Sequence, residues 1–441
     1  MTVEDPRVSV VIPTHNRRQL LARNLDALSS QSYPHERLEV LVIADGCSDG
    51  TVEMLSSYRA PYTLRAIEQA NQGPAAARNR GADQSTGRFL IFLDDDLEAC
   101  PSLVDSHVRS RTGPGEVLIG YLPPRVLVQS NYFSLELKTW WEAMFDAMRQ
   151  TGHRFQYKDM LSGNFSVERE LFHRVGGFDP EYRCHEDYEL GIRLLKAGAT
   201  LRFVPDAAAH HNENTDAAGS LKRKFDEGRA DVRIGRDHPE MKPALPLSNA
   251  ARRESISNRL MRNLAFRAPA VGDALFSMLL GCLGFIERVR VRHPWRLLLD
   301  GLLFYWYWRG AAAELGTPRS LRRFLEEHRS NDESDCVVTV DLRSGLEAAE
   351  ERLDRERPRG ALLLYGPHAV GTLPPSPGAE PLRGAHLRPV LATRLAVPLL
   401  RALALEKEID LCADTMQHLA VLLGEQARER VEGKREGKGF E

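Results

Sequence analysis

Three consecutive carboxylates, Asp94, Asp95 and Asp96, follow directly on the apolar run Phe89 to Leu93 (FLIFL). A strand that ends this way delivers acidic oxygens to the sheet edge where open α/β folds bind ligands. Three adjacent carboxylates repel one another unless a cation joins them, and hard Mg2+ or Mn2+ prefers oxygen ligands and shares its shell with substrate phosphates. In a strand-to-loop turn, side-chain alternation puts Asp94 and Asp96 on one side and leaves Asp95 to face a sugar or ribose. The competing reading is a solvated acidic turn or helix cap, which the position after FLIFL disfavours. A second acidic pair, Glu186 and Asp187, opens a helix with Leu190, Leu194 and Leu195 on its buried side, so both carboxylates sit at the positive end of a helix. Capping alone would account for such a pair. His210 and His211 follow the strand and turn at Phe203 to Asp206, where adjacent surface histidines are common.

Cation-assisted displacement at a diphosphate needs a grip on the nucleotide, a cation for the departing charge, and a base for the incoming hydroxyl. Two further strands open into polar turns at the same edge, Val8 to Arg17 and Leu41 to Thr51. Pro13, Thr14, His15 and Asn16 would lie beside a base there. Asp45 can accept a hydrogen bond from a uracil-like imide, whereas Ser48 or Asp49 more naturally caps the next helix. Asn71 to Gly81 (NQGPAAARNRG) is a glycine-proline turn entering a helix, with Arg78 in reach of nucleotide or phosphate.

Taken together and in this order, PTHNR, ADGCSDGT, GPAAARNRG, LDDDLEACP and the blocks beginning at Ser162 and His185 resemble the family 2 glycosyltransferases of GT-A fold, over about residues 7 to 215. The resemblance implies an inverting, metal-dependent transfer of a sugar from a nucleotide diphosphate donor to an acceptor hydroxyl, in glycan, polysaccharide or glycolipid synthesis. It implies donor contacts from Pro13, Thr14, His15, Asn16, Asp45, Arg78, Asp94 and Asp95. Mn2+ or Mg2+ would sit on Asp94 and Asp96, with His210 or His211 completing the shell, and the general base would be Asp187 or Glu186, Asp187 by preference. The chain departs from the family at Ala44-Asp45, where two aspartates are usual, which leaves the nucleobase open. The turn PTHNR lacks the glycine-rich, lysine-containing loop of a sugar-1-phosphate nucleotidyltransferase.

The elements that must position these groups follow from periodicity. Apolar runs alternate with helical stretches over the first ~215 residues, the pattern of a mostly parallel sheet flanked by helices. The strands are Val8 to Ile12, Leu38 to Ile43 and Phe89 to Leu93, with a helix from Arg18 to Ser29 between the first two. By the resemblance, residues 1–245 are expected as a GT-A catalytic domain, ending in the charged helix SLKRKFDEGRADVRIGRDH and a linker at PALPLS. Residues 246–329 read as helical, with apolar stretches at Ala274 to Ile286 and Gly301 to Trp308, each shorter than the ~20 residues of a bilayer-crossing helix. Arg288, Arg290, Arg292, His293 and Arg296 lie between them. Two readings stand side by side: peripheral contact of residues 270–309 with the inner face of a membrane, or a packed helical subdomain with a solvated basic turn.

Residues 330–441 read as a small α/β unit of unassigned role. Its strands would be Cys336 to Leu342 and Ala361 to Tyr365, its helices Gly345 to Arg355 and Thr393 to Leu405, with a loop at Leu373 to Pro381 and a charged tail from Glu429. In a chain of 441 residues, 42% apolar with a formal charge of −2, no global field points to nucleic acid. The six cysteines are scattered without a CxxC pair, which fits a reducing cytoplasm, and no basic segment precedes the first strand as a secretory signal would require.

Overall fold

The computed structural model describes residues 5–126, 131–213, 215–248, 255–326 and 337–408. The Glu429 tail and the segment Ser330 to Asp335 lie outside them. The chain forms two compact units, residues 1–148 with 156–329, and residues 149–155 with 330–441.

In the first unit, strands β1 (Val8–Thr14), β2 (Leu38–Asp45), β3 (Thr63–Gln69) and β4 (Phe89–Leu93) pair in parallel in the order β3-β2-β1-β4. Every residue of β1 and β4 is buried, as expected of central strands covered on both faces. The sheet continues through β8 (Asn164–Glu168), antiparallel to β4, then β6 (Glu116–Tyr121), β9 (Thr200–Glu213) and the short β5 (Leu97–Ala99), while β7 (Pro124–Val126) pairs with β9. This is the mostly parallel α/β sheet anticipated above.

Crossovers α1 (Arg18–Leu28), α2 (Thr51–Ser57) and α3 (Pro74–Gln84) join the parallel strands. Leu21, Leu25 and Leu28 turn the buried side of α1 to the sheet. Next come α4 (Leu103–Arg109), α5 (Tyr132–Arg149), α6 (Arg169–Arg174), α7 (Glu186–Lys196) and α8 (Ala217–Asp237). Under the strand end that carries the acidic triplet, Phe92 stacks on Phe165 (4.8 Å between centroids) and meets Phe172 and Phe178 edge-on or tilted. Gly177, at φ +67°, lets the chain after α6 approach α3 so closely that a Cβ there would lie 2.7 Å from Asn79 Oδ1; Asn79 holds the loop by accepting from Phe178 N and donating to its carbonyl.

The helical stretch comprises α9 (Ile256–Arg267), α10 (Pro269–Arg288), α11 (Arg292–Leu315) and α12 (Pro318–Glu326), and it shares one core with α5, α7 and α8. Glycines bring α8 and α11 together: a Cβ on Gly310 would lie 1.9 Å from the Phe225 carbonyl oxygen, and one on Gly228 would lie 2.0 Å from that of Tyr307. The segment PALPLS is not a free linker, because Leu245 and Leu247 are fully buried in this core. The apolar stretch Ala274 to Ile286 belongs to a helix of 20 residues, long enough at ~1.5 Å per residue to match a bilayer core. The sequence stretch looked too short because Asp273 and Glu287 bound it, whereas the helix runs past both.

In the second unit β10 (Val337–Asp341) and β11 (Gly360–Tyr365) pair in parallel, and β12 (His368–Leu373), which the sequence did not signal, returns antiparallel after a turn at Gly366, φ +59°. Helices α13 (Leu346–Glu356), α14 (Leu387–Ala392) and α15 (Ala396–Leu405) cover this sheet. Residues 149–155 join the unit through Arg154, which donates to the carbonyls of Glu380 and Arg359, and through Phe155 N, which donates to the buried Glu380 carboxylate.

Candidate functional site

The C-terminal ends of β1, β2 and β4 enclose a cavity of about 530 Å³ lined by Pro13, Thr14, His15, Asp45, Arg78, Asp94 and Asp95, together with Arg17, Asn71, Gly73, Pro74 and Arg183. Seven of the eight expected donor-contact residues line this one cleft. Asn16 does not; in a left-handed backbone conformation (φ 54°) it turns its Oδ1 to accept from Ser48 N at 2.7 Å, tying the first polar turn to the second. Asp49 accepts from Thr51 N and Oγ1 just ahead of α2, whose N-cap is Gly50, so it braces the turn before the helix without being the cap itself.

Asp45 closes one wall. Its Oδ1 accepts from Gln69 Nε2 and Gln72 N, and its Oδ2 accepts from Gly73 N, each at 2.8 Å. Oδ2 keeps one lone pair for a ligand donor. Gly73, at φ +91°, lets the loop turn its amide to the carboxylate before Pro74 starts α3. His15 Nδ1 lies 2.6 Å from the Asp45 carbonyl oxygen, which fixes the ring on the cleft floor.

The acidic triplet divides differently from the alternation expected for it. Asp94 Oδ1 accepts from Arg78 Nη2 at 2.6 Å, while Arg17 Nη1 bridges Asp95 at 2.9 Å and Asp96 at 2.8 Å. The physical reason is that β4 stops at Leu93, so residues 94 to 96 form a turn in which strand alternation no longer applies. Burial pushes the Asp95 carboxyl up to about 6 in spite of Arg17 and the Thr14 hydroxyl, which donates to it at 2.8 Å. Asp96 is equally buried, but the hydrogen bond and charge of His211 outweigh burial, with help from Arg17, and hold it below the ordinary value.

For a divalent cation, the fit rests on Asp96 and His211. Asp96 Oδ1 is buried without a hydrogen-bond partner, and His211 Nε2 lies 3.7 Å from Asp96 Oδ2. The carboxylate suits Mn2+ or Mg2+ when substrate phosphates and water complete the shell, and the imidazole nitrogen favours Mn2+ over the harder Mg2+. Among the described residues no group of three His, Cys, Asp or Glu side chains gathers into a preformed metal cage. Of the two histidines, His211 pairs opposite Leu97 and reaches Asp96; alternation along β9 sends His210, opposite Glu98, to the other face. Asp94 is salt-bridged to Arg78.

Arg78 is the connector that the sequence did not foretell. Almost fully buried, it donates Nη2 to Asp94 and Nη1 to Glu186 Oε1 (3.0 Å), a residue 108 positions further along the chain, and so joins the end of β4 to the start of α7. A second bridge runs through Ser162 and Gly163: Gly163 O accepts from Asp94 N at 3.2 Å, and Ser162 N donates to Asp187 Oδ2 at 3.3 Å. The strand-edge carboxylates and the Glu186-Asp187 pair therefore share one locality. Burial, with the adjacent Glu186, pushes the Asp187 carboxyl up to about 6, against His185 and Arg223.

Behind this pair lies a buried relay absent from any motif. His185, in left-handed conformation at φ 60°, places its Nδ1 3.1 Å from Asp231 Oδ1 on α8, and Tyr307 on α11 donates to Asp231 Oδ2 at 2.6 Å. Burial would lower the His185 imidazole, but its hydrogen bond to Asp231 and that residue's charge raise it. A non-glycine residue with positive φ immediately before a candidate base stores strain that the relay holds in place. No sequence signal links residues 185, 231 and 307; only the glycine-mediated crossing of α8 and α11 makes them neighbours.

Residues 9–176 match the sequence model of glycosyl transferase family 2, and residues 142–215 match that of the N-terminal domain of galactosyltransferase. The second match covers Glu186, Asp187, His210 and His211, which the first does not reach. Glycosyltransferase AglE of Haloferax volcanii is 29% identical over 241 residues, 53% of this chain and 76% of its own. Validoxylamine A glucosyltransferase of Streptomyces hygroscopicus subsp. jinggangensis is 30% identical over 280 residues, 54% of this chain; the match spans 63% of that relative's length. Among solved structures, the mannosyltransferase from Pyrobaculum calidifontis in complex with GDP-Man and Mn2+ aligns with a TM-score of 0.46 at 19% identity, over 71% of this chain and 88% of that one.

Proposed function

On the match of residues 9–176 to glycosyl transferase family 2, we propose that this chain is a glycosyltransferase of that family, moving a sugar from a nucleotide diphosphate donor to an acceptor hydroxyl with inversion, assisted by Mn2+ or Mg2+. The observation that carries this reading is the chain Asp94–Arg78–Glu186, which sets a carboxylate pair able to take a proton beside a cleft of nucleotide size. Asp45 and His15 orient the base and Thr14 and Asp95 the ribose or sugar. A cation on Asp96 and His211 would take up charge on the departing diphosphate. Asp187 accepts the acceptor's proton as its oxygen attacks the anomeric carbon in line with the leaving group, so one displacement suffices and the configuration inverts. Arg78 keeps the base and the donor end of the cleft in fixed register.

The acceptor is a glycan, lipid-linked or other hydroxyl used in envelope glycan, polysaccharide or glycolipid synthesis, and the site of action is the cytoplasm, at the inner face of the membrane. The test is a panel of nucleotide sugars assayed for nucleoside diphosphate release, with and without chelation, and with product anomers assigned by NMR. Release that stops on chelation, returns with Mn2+ or Mg2+ and is lost in Asp96→Asn supports the reading. Undiminished transfer after exhaustive chelation, or a retained anomer, overturns the corresponding part.

A further inference from the structure

The outward face of α10 is made almost wholly of apolar or small residues. Its exposed positions recur at helical spacing as Ala270 and Val271, Ala274 and Leu275, Ser277 and Met278, Gly281 and Cys282, Gly284 and Phe285, and the first exposed charge is Arg288. Val271, Met278 and Phe285 are each about two-thirds exposed, and Ile256, Leu260, Val289, Val291 and Leu297 lie exposed on the flanking segments. A soluble helix ordinarily reverses this arrangement, with charge outward and apolar groups inward.

The inward face is already occupied. Phe276 stacks on Tyr305 at 4.0 Å with the rings nearly parallel, and Asp273 accepts from Tyr305 and Arg309. Held to α11 through Phe276 and Asp273, this helix presents its other side as an exposed apolar ridge.

At the C-terminal end of the ridge, Arg288, Arg290, Arg292 and Arg296 fall within nine residues. Arg292 and Arg296 share the single carboxylate of Glu136, while Arg288 and Arg290 have no ion-pair partner among the described residues. The local field is therefore positive beside an uncharged apolar strip. A partner must supply apolar volume and negative charge side by side, which the surface of an anionic bilayer does.

We propose that α10 and the α10–α11 turn form an in-plane docking surface for anionic phospholipid, with Val271, Leu275, Met278 and Phe285 entering the acyl boundary and the four arginines engaging head-group phosphates. This deepens the membrane-side part of the function proposed above and does not depend on the transfer chemistry.

The test is flotation of the full-length protein with phosphatidylcholine vesicles, with and without phosphatidylglycerol. Binding should require the anionic lipid, weaken in high salt, and fall about fivefold for each arginine lost in Arg288→Gln and Arg290→Gln, the worth of one basic residue near such a surface. Phe285→Ser with Met278→Ser, both at exposed positions, should abolish binding while the melting temperature and metal-dependent donor hydrolysis without vesicles stay at wild-type values. Those soluble readouts report on the enzyme reading separately. Equal binding to neutral vesicles, no binding at all, or a concentration-dependent dimer that Phe285→Ser dissociates would overturn the proposal, the last by assigning the face to a second copy of the chain.

Discussion

Replacing Asp187 with Asn should lower activity and raise stability together, with both effects following from one buried carboxyl. Its folded value of about 6 lies above the ordinary 3.8, because burial and Glu186 disfavour the charge. Ionisation in the folded state therefore carries a penalty that is complete above about pH 6 and absent below about pH 4, and two pH units correspond to about 3 kcal/mol. Asn removes that penalty. It keeps an acceptor for Tyr188 N, which donates to Oδ1 at 2.9 Å, but its amide cannot accept from Ser162 N. With the lost hydrogen bond set against the gain, about 1 to 2 kcal/mol of stabilisation remains at pH 7, or roughly 1 to 3 °C in melting temperature for a unit of this size. Turnover should fall about 10²- to 10⁴-fold, the usual worth of a positioned general base. In the wild type, log kcat/KM should decline with a slope near one below about pH 6 as the base protonates, and in Asp187→Asn this limb should vanish. Thermal melts at pH 5 and pH 7, paired with initial rates from pH 5 to 8, read both. A variant that melts below wild type at pH 7, or keeps turnover within fivefold with the same acid limb, would refute the reasoning.

Two further substitutions probe the walls of the cleft. Asp45→Ala strands the amides of Gln72 and Gly73 and should cost about 2 kcal/mol in denaturant unfolding while raising donor KM at least tenfold with a smaller change in kcat; an unchanged KM would remove Asp45 from donor binding. Tyr307→Phe deletes the hydroxyl 2.6 Å from Asp231 and should cost about 1.5 to 3 kcal/mol of stability and lower kcat with little change in donor KM, measured by steady-state kinetics beside unfolding; unaltered kcat would uncouple the α8–α11 crossing from the base.

The sequence determined the parts of this protein whose cause is local. Continuous apolar runs set β1, β2 and β4, the heptad-like leucines set α1, and the polar turns after each strand had to gather where parallel strands end, so Pro13, Thr14, His15, Asp45, Arg78, Asp94 and Asp95 were legible as one cleft before any coordinates. Tertiary structure decided whatever depends on the partner of a charge. Arg78 reads from sequence as a nucleotide contact, yet burial between Asp94 and Glu186 makes it the tie between strand edge and base. Asp96 rather than Asp94 faces His211 because the backbone leaves the strand one residue before alternation could pair them. The outward apolar face of α10 is likewise invisible in composition, since which side of a helix is covered depends on what packs against it: here Tyr305 and Arg309, brought there by a helix that glycines hold against α8.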